Sequence, residues 1–454
     1  MKKIMFVAAM LTAMVFSAFT AFAIDGDGTE ESPFLVTDQG ELELVTDFPD
    51  CHFRLANDIE LEGIWIPLCK QTSSGYFTGV FNGAGYTISN LVTDGSEGGL
   101  FKYNSGTIKN LNIEISADGM KGSGAVANLN RGTILNCVVK GKISGNFAHM
   151  GGICGENQNT VKQCKLVGNV ESTSTASSLY VGGICGYNSS SGKVSSCAVI
   201  GNITGKGSAG GISGYNSASG GSVMITDCYY IGSISSTSSY KGGIVGYNIK
   251  SNYYDAKIID CYAVPTFNSS GYGIAYNSGT ITTSYYDKTI SGLSDTSTGT
   301  PKSTAAMKMK QTYAKDWDFE NIWGMDKNIN NGYPYLLWEY PDVEEEKPYT
   351  VNNVKITDLS GNELEAIPAE GFYCEINVTK NDNSKNADSV IIAMYDESGE
   401  LISMDYMKGK YYQNQTITFG TMIEKKDKKI ESVKGFVWDG VAGMIPLSNS
   451  IELN

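Results

Sequence analysis

The stretch Gly183-Ile184-Cys185-Gly186-Tyr187-Asn188 decides the fold, because near copies of it recur on both sides. They read GGLFKYN from Gly98, GAVANLN from Gly124, GGICGEN from Gly151, GGICGYN from Gly182, GGISGYN from Gly210, GGIVGYN from Gly242 and a shortened YGIAYN from Tyr272. The position held by Gly183 returns at residues 99, 125, 152, 211, 243 and 273, a period of about 30 residues that marks a repeat architecture. A second half follows each copy, such as GTIKNLNI from Gly106, GTILNCVV from Gly132 or KIIDCYAV from Lys257.

These segments are short, β-branched and broken by Gly, Ser and Asn, with no 3.6-residue apolar period. One coil cannot bury both faces of such strands. Stacked coils can, each pairing with its neighbours at about 4.8 Å. The pattern predicts an all-β chain built on a right-handed parallel β-helix, a solenoid of seven coils and a cap reaching roughly 40 Å. Propeller blades are the alternative and need longer repeats. The glycine pairs fit sharp corners with positive φ, and the column Asn104, Asn130, Asn157, Asn188, Asn216, Asn248, Asn277 fits turns whose amides bond the backbone and one another. Insertions at residues 172–178 and 249–256 are expected to bulge from one edge, where binding loops would sit.

Residues 1–23 read as a secretory signal peptide: Lys2-Lys3, an apolar run from Ile4 to Phe16, and Ala21-Phe22-Ala23 before the cleavage point. The apolar run is shorter than a bilayer span, which disfavours an uncleaved anchor, and no later stretch is apolar enough to span. Residues 24–95 form an N-terminal cap and first coils, 96–290 the repeats, and 291–340 an aromatic-rich C-terminal cap that closes the last coil. Residues 341–349 are an acidic, proline-ended linker, and 350–454 alternate like a small immunoglobulin-like β-sandwich. The formal net charge of −14 becomes −16 once Lys2 and Lys3 leave with the signal. That sign argues against nucleic acid and against anionic lipid as partners.

Ten cysteines in a secreted chain first point to disulfides. Cys137, Cys164, Cys197, Cys228 and Cys261, however, each fall three residues after the Ile or Val of a second half-repeat, and Cys154 and Cys185 share the other apolar slot. Equivalent slots hold Phe101, Leu111, Val245 and Ala275, so these are packing sites where a free thiol acts as a small hydrophobe. Neighbouring coils bring such Cα atoms to about 4.8 Å, but with side chains parallel rather than facing, so free buried thiols are expected. No CxxC pair or His cluster accompanies them, and neither a metal nor a cofactor is expected.

The combination GGIxGYN followed by GxIxNC resembles the GLUG-motif repeat family of bacterial secreted and cell-surface, adhesin-like proteins, which also includes non-catalytic regions of zinc immunoglobulin A proteases. The flanks GTEESPFLVT, FRLANDIEL and FTGVFNGAGYTISNL on one side, and WDFENIWGM and NGYPYLL on the other, are similar to those such repeats carry, so the resemblance covers roughly residues 26–338. Glu156 stands where an aromatic is usual, and Ile66-Pro67-Leu68-Cys69 departs from a Trp-x-Pro-Ile-Gly pattern. GFVWDGVAGMIPLS, from Gly435, is similar to sandwich modules appended to secreted proteins of anaerobic Firmicutes. The family implies surface interaction with no defined activity.

Chemistry-bearing residues are sparse. His52 and His149 are the only histidines, so His-Glu-x-x-His and any multi-histidine centre are excluded, and His149 reads as a loop residue. A polysaccharide-cleaving β-helix needs paired carboxylates, or calcium-binding acids with a base. Only Arg54 and Arg131 are present, and the repeat acids do not recur in register, except that Asp227 and Asp260 align just before a cysteine. They read as turn acids capping backbone amides where Asn136 sits in another repeat, with a sugar-cleaving pair as the alternative. No catalytic residue is assigned.

The tyrosine column through Tyr187, Tyr215 and Tyr247 is either a ladder stacked between coils or a platform for sugar rings or protein, and Tyr253 and Tyr254 in an insertion are candidates for exposure. These five form the candidate binding surface. The expectation is a secreted, extracellular or surface-associated, non-enzymatic binding protein that recognises an extracellular glycan or a host or bacterial surface protein. A polysaccharide lyase or glycosidase on the same scaffold is the alternative.

Overall fold

The Ile or Val of each second half-repeat meets its counterpart in the next coil directly. Phe34, Phe53, Phe81, Ile108, Ile134, Val161, Val194, Ile225, Ile258 and Ile281 form one parallel column, each opposite the next. These rungs, at about 4.8 Å each, span roughly 40 Å. The column begins at Phe34, so the N-terminal segment already contributes coils. It also contributes the helix Gln39–Glu43, capped by the Asp38 carboxylate on Glu41 N–H, with Leu42 and, in the following turn, Val45 entering the core.

The computed structural model describes residues 24–69, 75–95, 98–176, 179–294, 296, 298–313, 315, 317–341, 347–381, 387–426, 428–439 and 447–453. The signal-peptide reading and residues 342–346 of the linker lie outside the described residues. Two compact units divide the chain, Met1–Pro341 and Asp342–Asn454.

The first unit is a parallel β-solenoid. Its motif strands Phe101–Asn104, Ala127–Asn130, Cys154–Asn157, Cys185–Asn188, Ser213–Ser217, Val245–Ile249 and Ala275–Asn277 form a seven-stranded sheet. His149–Met150, Tyr180–Gly182, Ser208–Gly210 and Lys241–Gly242 form a four-stranded sheet, and the second half-repeats run through a large third sheet. Inside, Ile113, Val139, Leu166, Val199, Tyr230, Ala263 and Tyr286 make another buried column. All ten cysteines are free, and the repeat cysteines are buried. The five of the second half-repeats, Cys137, Cys164, Cys197, Cys228 and Cys261, donate to the carbonyl two residues back, as Cys137 Sγ does to Leu135 O at 3.3 Å. The residue before each is left-handed: Asn136, Gln163, Ser196, Asp227 and Asp260 all have φ between 50° and 52°. Asn and Asp tolerate that region best among side-chain-bearing residues.

The asparagine column is a continuous amide ladder. Nδ2 of Asn104, Asn130, Asn157, Asn188, Asn216 and Asn248 each donates to Oδ1 of the next rung, at 2.6 to 2.8 Å, ending at Asn277. Spare protons go to backbone carbonyls, such as Asn188 Nδ2 to Gly192 O at 3.1 Å. All but Asn277 are fully buried.

The glycine pairs work differently from the expectation. Among the motif pairs only Gly98 and Gly99 have positive φ, 67° and 97°. At Gly183 the constraint is contact: an added Cβ would lie 2.3 Å from Gly211 O and 2.5 Å from a Val199 methyl. Glycine is required because backbone and core side chains close on the missing Cβ, not because of the turn's dihedrals. The insertions also sit at different corners, the described residues 172–176 of the first before the four-stranded sheet and 249–256 after a motif strand.

The C-terminal cap segment does two things. Thr300–Lys302 pairs in parallel with Tyr285–Asp287 and covers the last coil, and the described residues from 303 to 341 then run back along the solenoid flank as a strap. The outward column Lys165, Ala198, Tyr229, Tyr262, Tyr285 belongs to five successive coils. Tyr313 and Trp317 pack on Tyr285, Trp323 on Tyr229 and Tyr262, and Glu339 takes Lys165 Nζ. Trp338 Nε1 donates to Ser196 O at 2.8 Å. The physical reason lies in the column itself: its three tyrosines present an apolar stripe that the strap aromatics remove from water.

The second unit has two antiparallel sheets over one core. One contains Tyr349–Thr357, Phe372–Lys380 and Thr416–Ile423, the other Leu401–Lys410, Ala387–Tyr395, Ser432–Trp438 and Ile451–Leu453. The fourth strand of the module pairs with the third, whereas in a seven-stranded immunoglobulin constant domain it joins the sheet of the first, second and fifth.

Replacing Asn188 by Ala removes one ladder donor and strands the Asn216 and Asn157 groups that face it. The expected loss is on the order of 2–5 kcal/mol, from two buried polar groups left unpaired. Denaturant unfolding of the full chain measures it, and a loss below about 0.5 kcal/mol would show that the ladder contributes little.

Candidate functional site

Glycine also sets the corner between the motif sheet and the four-stranded sheet. A Cβ on Gly186 would lie 2.3 Å from Met150 N, and one on Gly214 2.3 Å from Val181 N. The two sheets therefore meet almost backbone to backbone, with room for a side chain as small as Ser208, whose hydroxyl donates to Gly214 O at 2.8 Å. Residues just outside the corner are pressed ring against ring.

What results is a continuous aromatic ribbon. His149 stacks on Tyr180 at 5.3 Å, and Tyr180 on Tyr215 at 4.4 Å. Tyr187 sits edge-on to Tyr215 at 5.6 Å, and Tyr215 to Tyr247 at 5.3 Å. Tyr247 and Tyr240 stack at 4.9 Å, both contact Tyr276, and Tyr276 meets Tyr272 at 5.3 Å. Tyr240 is 37% exposed and the other rings are half-buried, so the ribbon is both an inter-coil ladder and a solvent-facing surface. Burial pushes the Tyr215 hydroxyl up to about 12, so it remains a neutral donor across the physiological range.

Charged and amide groups end the ribbon. His149 Nδ1 lies 3.4 Å from a Glu156 oxygen, and Gln158 and Ser189 donate to the same carboxylate at 2.7 and 2.9 Å. Burial works to raise that carboxyl, but the hydrogen bonds from His149, Gln158 and Ser189 overcome it and bring it down to about 2. Arg131 Nε donates to Gln158 Oε1 at 2.9 Å, and its Nη1 to the Tyr76 hydroxyl at 2.6 Å. Tyr76 packs on Tyr103 at 5.2 Å. A second aromatic pair thus lies beyond the polar break.

Of the five sequence candidates, Tyr187, Tyr215 and Tyr247 lie in the ribbon. Tyr253 and Tyr254 do not join them. They occupy the loop that leaves the opposite end of the motif strand Val245–Ile249, 89% and 44% exposed. His149, read as a loop residue, is in a strand, and Tyr180, Tyr240 and Tyr272 were not singled out. A signal for three of these is present two residues before the glycine pair, where His149, Tyr180, Ser208 and Tyr240 recur.

Asp227 and Asp260 lie elsewhere, under the strap. Both take the left-handed turn that Asn136 takes; Asp227 accepts from Trp323 Nε1 at 3.3 Å, and Asp260 pairs with the Thr283 hydroxyl. Burial, and then the charge of Asp260, raise the Asp227 carboxyl to about 6.

No family model matches the chain. Over 124 residues it is 32% identical to a protein of Evansella cellulosilytica named as a Gly-rich membrane protein, covering 24% of this chain and 13% of that one. Over 150 residues it is 33% identical to halomucin of Haloquadratum walsbyi, covering 29% of this chain and 2% of that one. The chain thus spans a small part of the curated relatives it matches. A solved structure, the enzymatically active domain of tailspike protein 4 from bacteriophage CBA120, aligns over 91% of this chain and 65% of that one, at 12% identity and a TM-score of 0.21. Among the described residues no helix is long and apolar enough to cross a membrane.

Because the folded Asp227 carboxyl holds its proton up to about pH 6, above its ordinary 3.8, the folded state binds more protons than the unfolded chain between those values. Its contribution to stability therefore falls as pH rises through that window. Asp227→Asn, which keeps an acceptor for Trp323, is expected to raise the melting temperature at pH 7.5 and leave it unchanged near pH 4. Thermal melts at both pH values check this, and equal shifts at the two would refute it.

Proposed function

We propose that this protein is a secreted or surface-associated, non-enzymatic binding protein of the GLUG-repeat type, and that the ribbon from His149 to Tyr272 docks the sugar rings of an extracellular glycan. The observation that carries the reading is the unbroken set of ring contacts with faces left half-open to water. Aromatic faces stack on the C–H faces of pyranose rings, while phenolic hydroxyls and a fixed carboxylate or guanidinium pair with sugar hydroxyls. Glu156, Gln158 and Arg131 supply such groups at the end of the ribbon. The repeat motifs and their flanks support the family reading, and the local likeness to proteins named for a membrane and for a halomucin supports an outer-surface setting.

A polysaccharide-cleaving enzyme is the second reading, favoured by Asp227, raised beside Asp260, as an acid held ready to donate a proton. Trp323 of the strap covers that carboxyl, which weighs against it.

A glycan array and a polysaccharide-degradation screen on the full chain separate the two readings. Binding without product release is expected, with Tyr180→Ala, Tyr215→Ala or Tyr240→Ala each weakening it about tenfold, equivalent to about 1.4 kcal/mol. Tyr253→Ala is expected to bind as the unsubstituted chain does. Release of oligosaccharides that stops in Asp227→Asn would establish the enzyme instead.

A further inference from the structure

The core of the second unit contains a charged pair that neither the fold nor the proposed binding requires. Lys380 ends the strand Phe372–Lys380 in one sheet, and Asp388 is the second residue of the strand Ala387–Tyr395 in the other. Their side chains are 0% and 1% exposed, and Lys380 Nζ lies 3.4 Å from Asp388 Oδ2. Tyr349 bridges them: Lys380 Nζ donates to its hydroxyl at 2.9 Å, and that hydroxyl donates to Asp388 Oδ2 at 2.6 Å. The ammonium also lies 4.2 Å from the centre of the Tyr349 ring. Asp388 Oδ1, buried, has no hydrogen-bond partner among the described residues.

An amine and a carboxyl enclosed this way are reactants as much as an ion pair. The amine nitrogen is already held in contact with the carboxylate it would attack, and fixed geometry replaces the entropy a bimolecular reaction would lose. Holding both charges out of water is costly, and the carboxylate's remaining oxygen recovers nothing for it. Proton transfer from the ammonium to the carboxylate makes both groups neutral and frees the amine lone pair to attack.

We propose that Lys380 and Asp388 condense into an intramolecular amide that ties the two sheets of this unit together. The Lys380 Nζ–Asp388 Cγ bond forms, one Cγ–O bond of Asp388 breaks, and the oxygen leaves as water with the two protons the ammonium has given up. The ammonium and carboxylate become one neutral amide and one water, with no oxidant or reductant. Tyr349 is the catalytic residue, because its hydroxyl touches both reacting groups and can pass the proton from nitrogen to the departing oxygen. The dry interior favours the product by excluding the water that would hydrolyse it.

Trypsin digestion of the purified full chain, followed by peptide mass spectrometry, tests this. The expected result is a branched species joining the peptide with Lys380 to the peptide with Asp388, about 18 Da below the sum of the two, with no cleavage after Lys380. Lys380→Arg should abolish the branched species, and Tyr349→Phe should reduce its yield at least tenfold. Cleavage after Lys380 with both peptides at full mass would overturn the proposal. So would a loss of about 18 Da confined to the Asp388 peptide, the mark of an internal succinimide rather than a cross-link. A branched species formed undiminished in Tyr349→Phe would remove the tyrosine from the mechanism.

Discussion

The amide ladder from Asn104 to Asn277 is the interaction on which the solenoid depends. Each buried carboxamide is satisfied only if the next coil presents its own amide one strand spacing away and in the same orientation. A one-residue slip in any coil would therefore leave buried polar groups unpaired above and below it, so the ladder enforces register along the whole stack. The rest of the cross-section follows from that spacing. Gly183 must lack a Cβ because the adjoining coil's carbonyl already occupies the place, and the cysteines serve as buried core atoms in slots that other coils fill with Phe, Leu, Val or Ala.

Two outward-facing aromatic columns meet opposite fates on this scaffold. Tyr229, Tyr262 and Tyr285 are sealed beneath Trp317, Trp323 and their neighbours, whereas Tyr187, Tyr215 and Tyr247 stay open along the corner. The strap's partners are specific to the first flank: Glu339 with Lys165, Trp338 with the Ser196 carbonyl and Trp323 with Asp227. Along the corner the rings partner one another, which holds them in place while leaving their faces toward solvent.

The C-terminal unit follows a different rule. Its layers are held by an apolar core around Ile376, Val378, Val390 and Ile392, with Lys380, Asp388 and Tyr349 as polar members of the same interior. The alternation of its strands was readable, but Leu401–Lys410 was not, because that strand carries charge and glycine and buries no apolar stripe.

What the sequence by itself determined is whatever repeats: the coil, its core slots, the asparagine column, the free thiols and the all-β class. A translational repeat makes each residue's neighbour a copy of itself, so local pattern and tertiary contact carry the same information. Tertiary structure alone decided what joins residues that do not align. Tyr180 and Tyr240 reach Tyr215 and Tyr247 from a different sheet across a glycine corner, and the strap returns to coils that precede it by more than a hundred residues. Lys380 and Asp388, eight residues apart, face each other only because their strands belong to opposite layers. In each case the deciding quantity is a packing distance between elements, which no periodicity along the chain encodes.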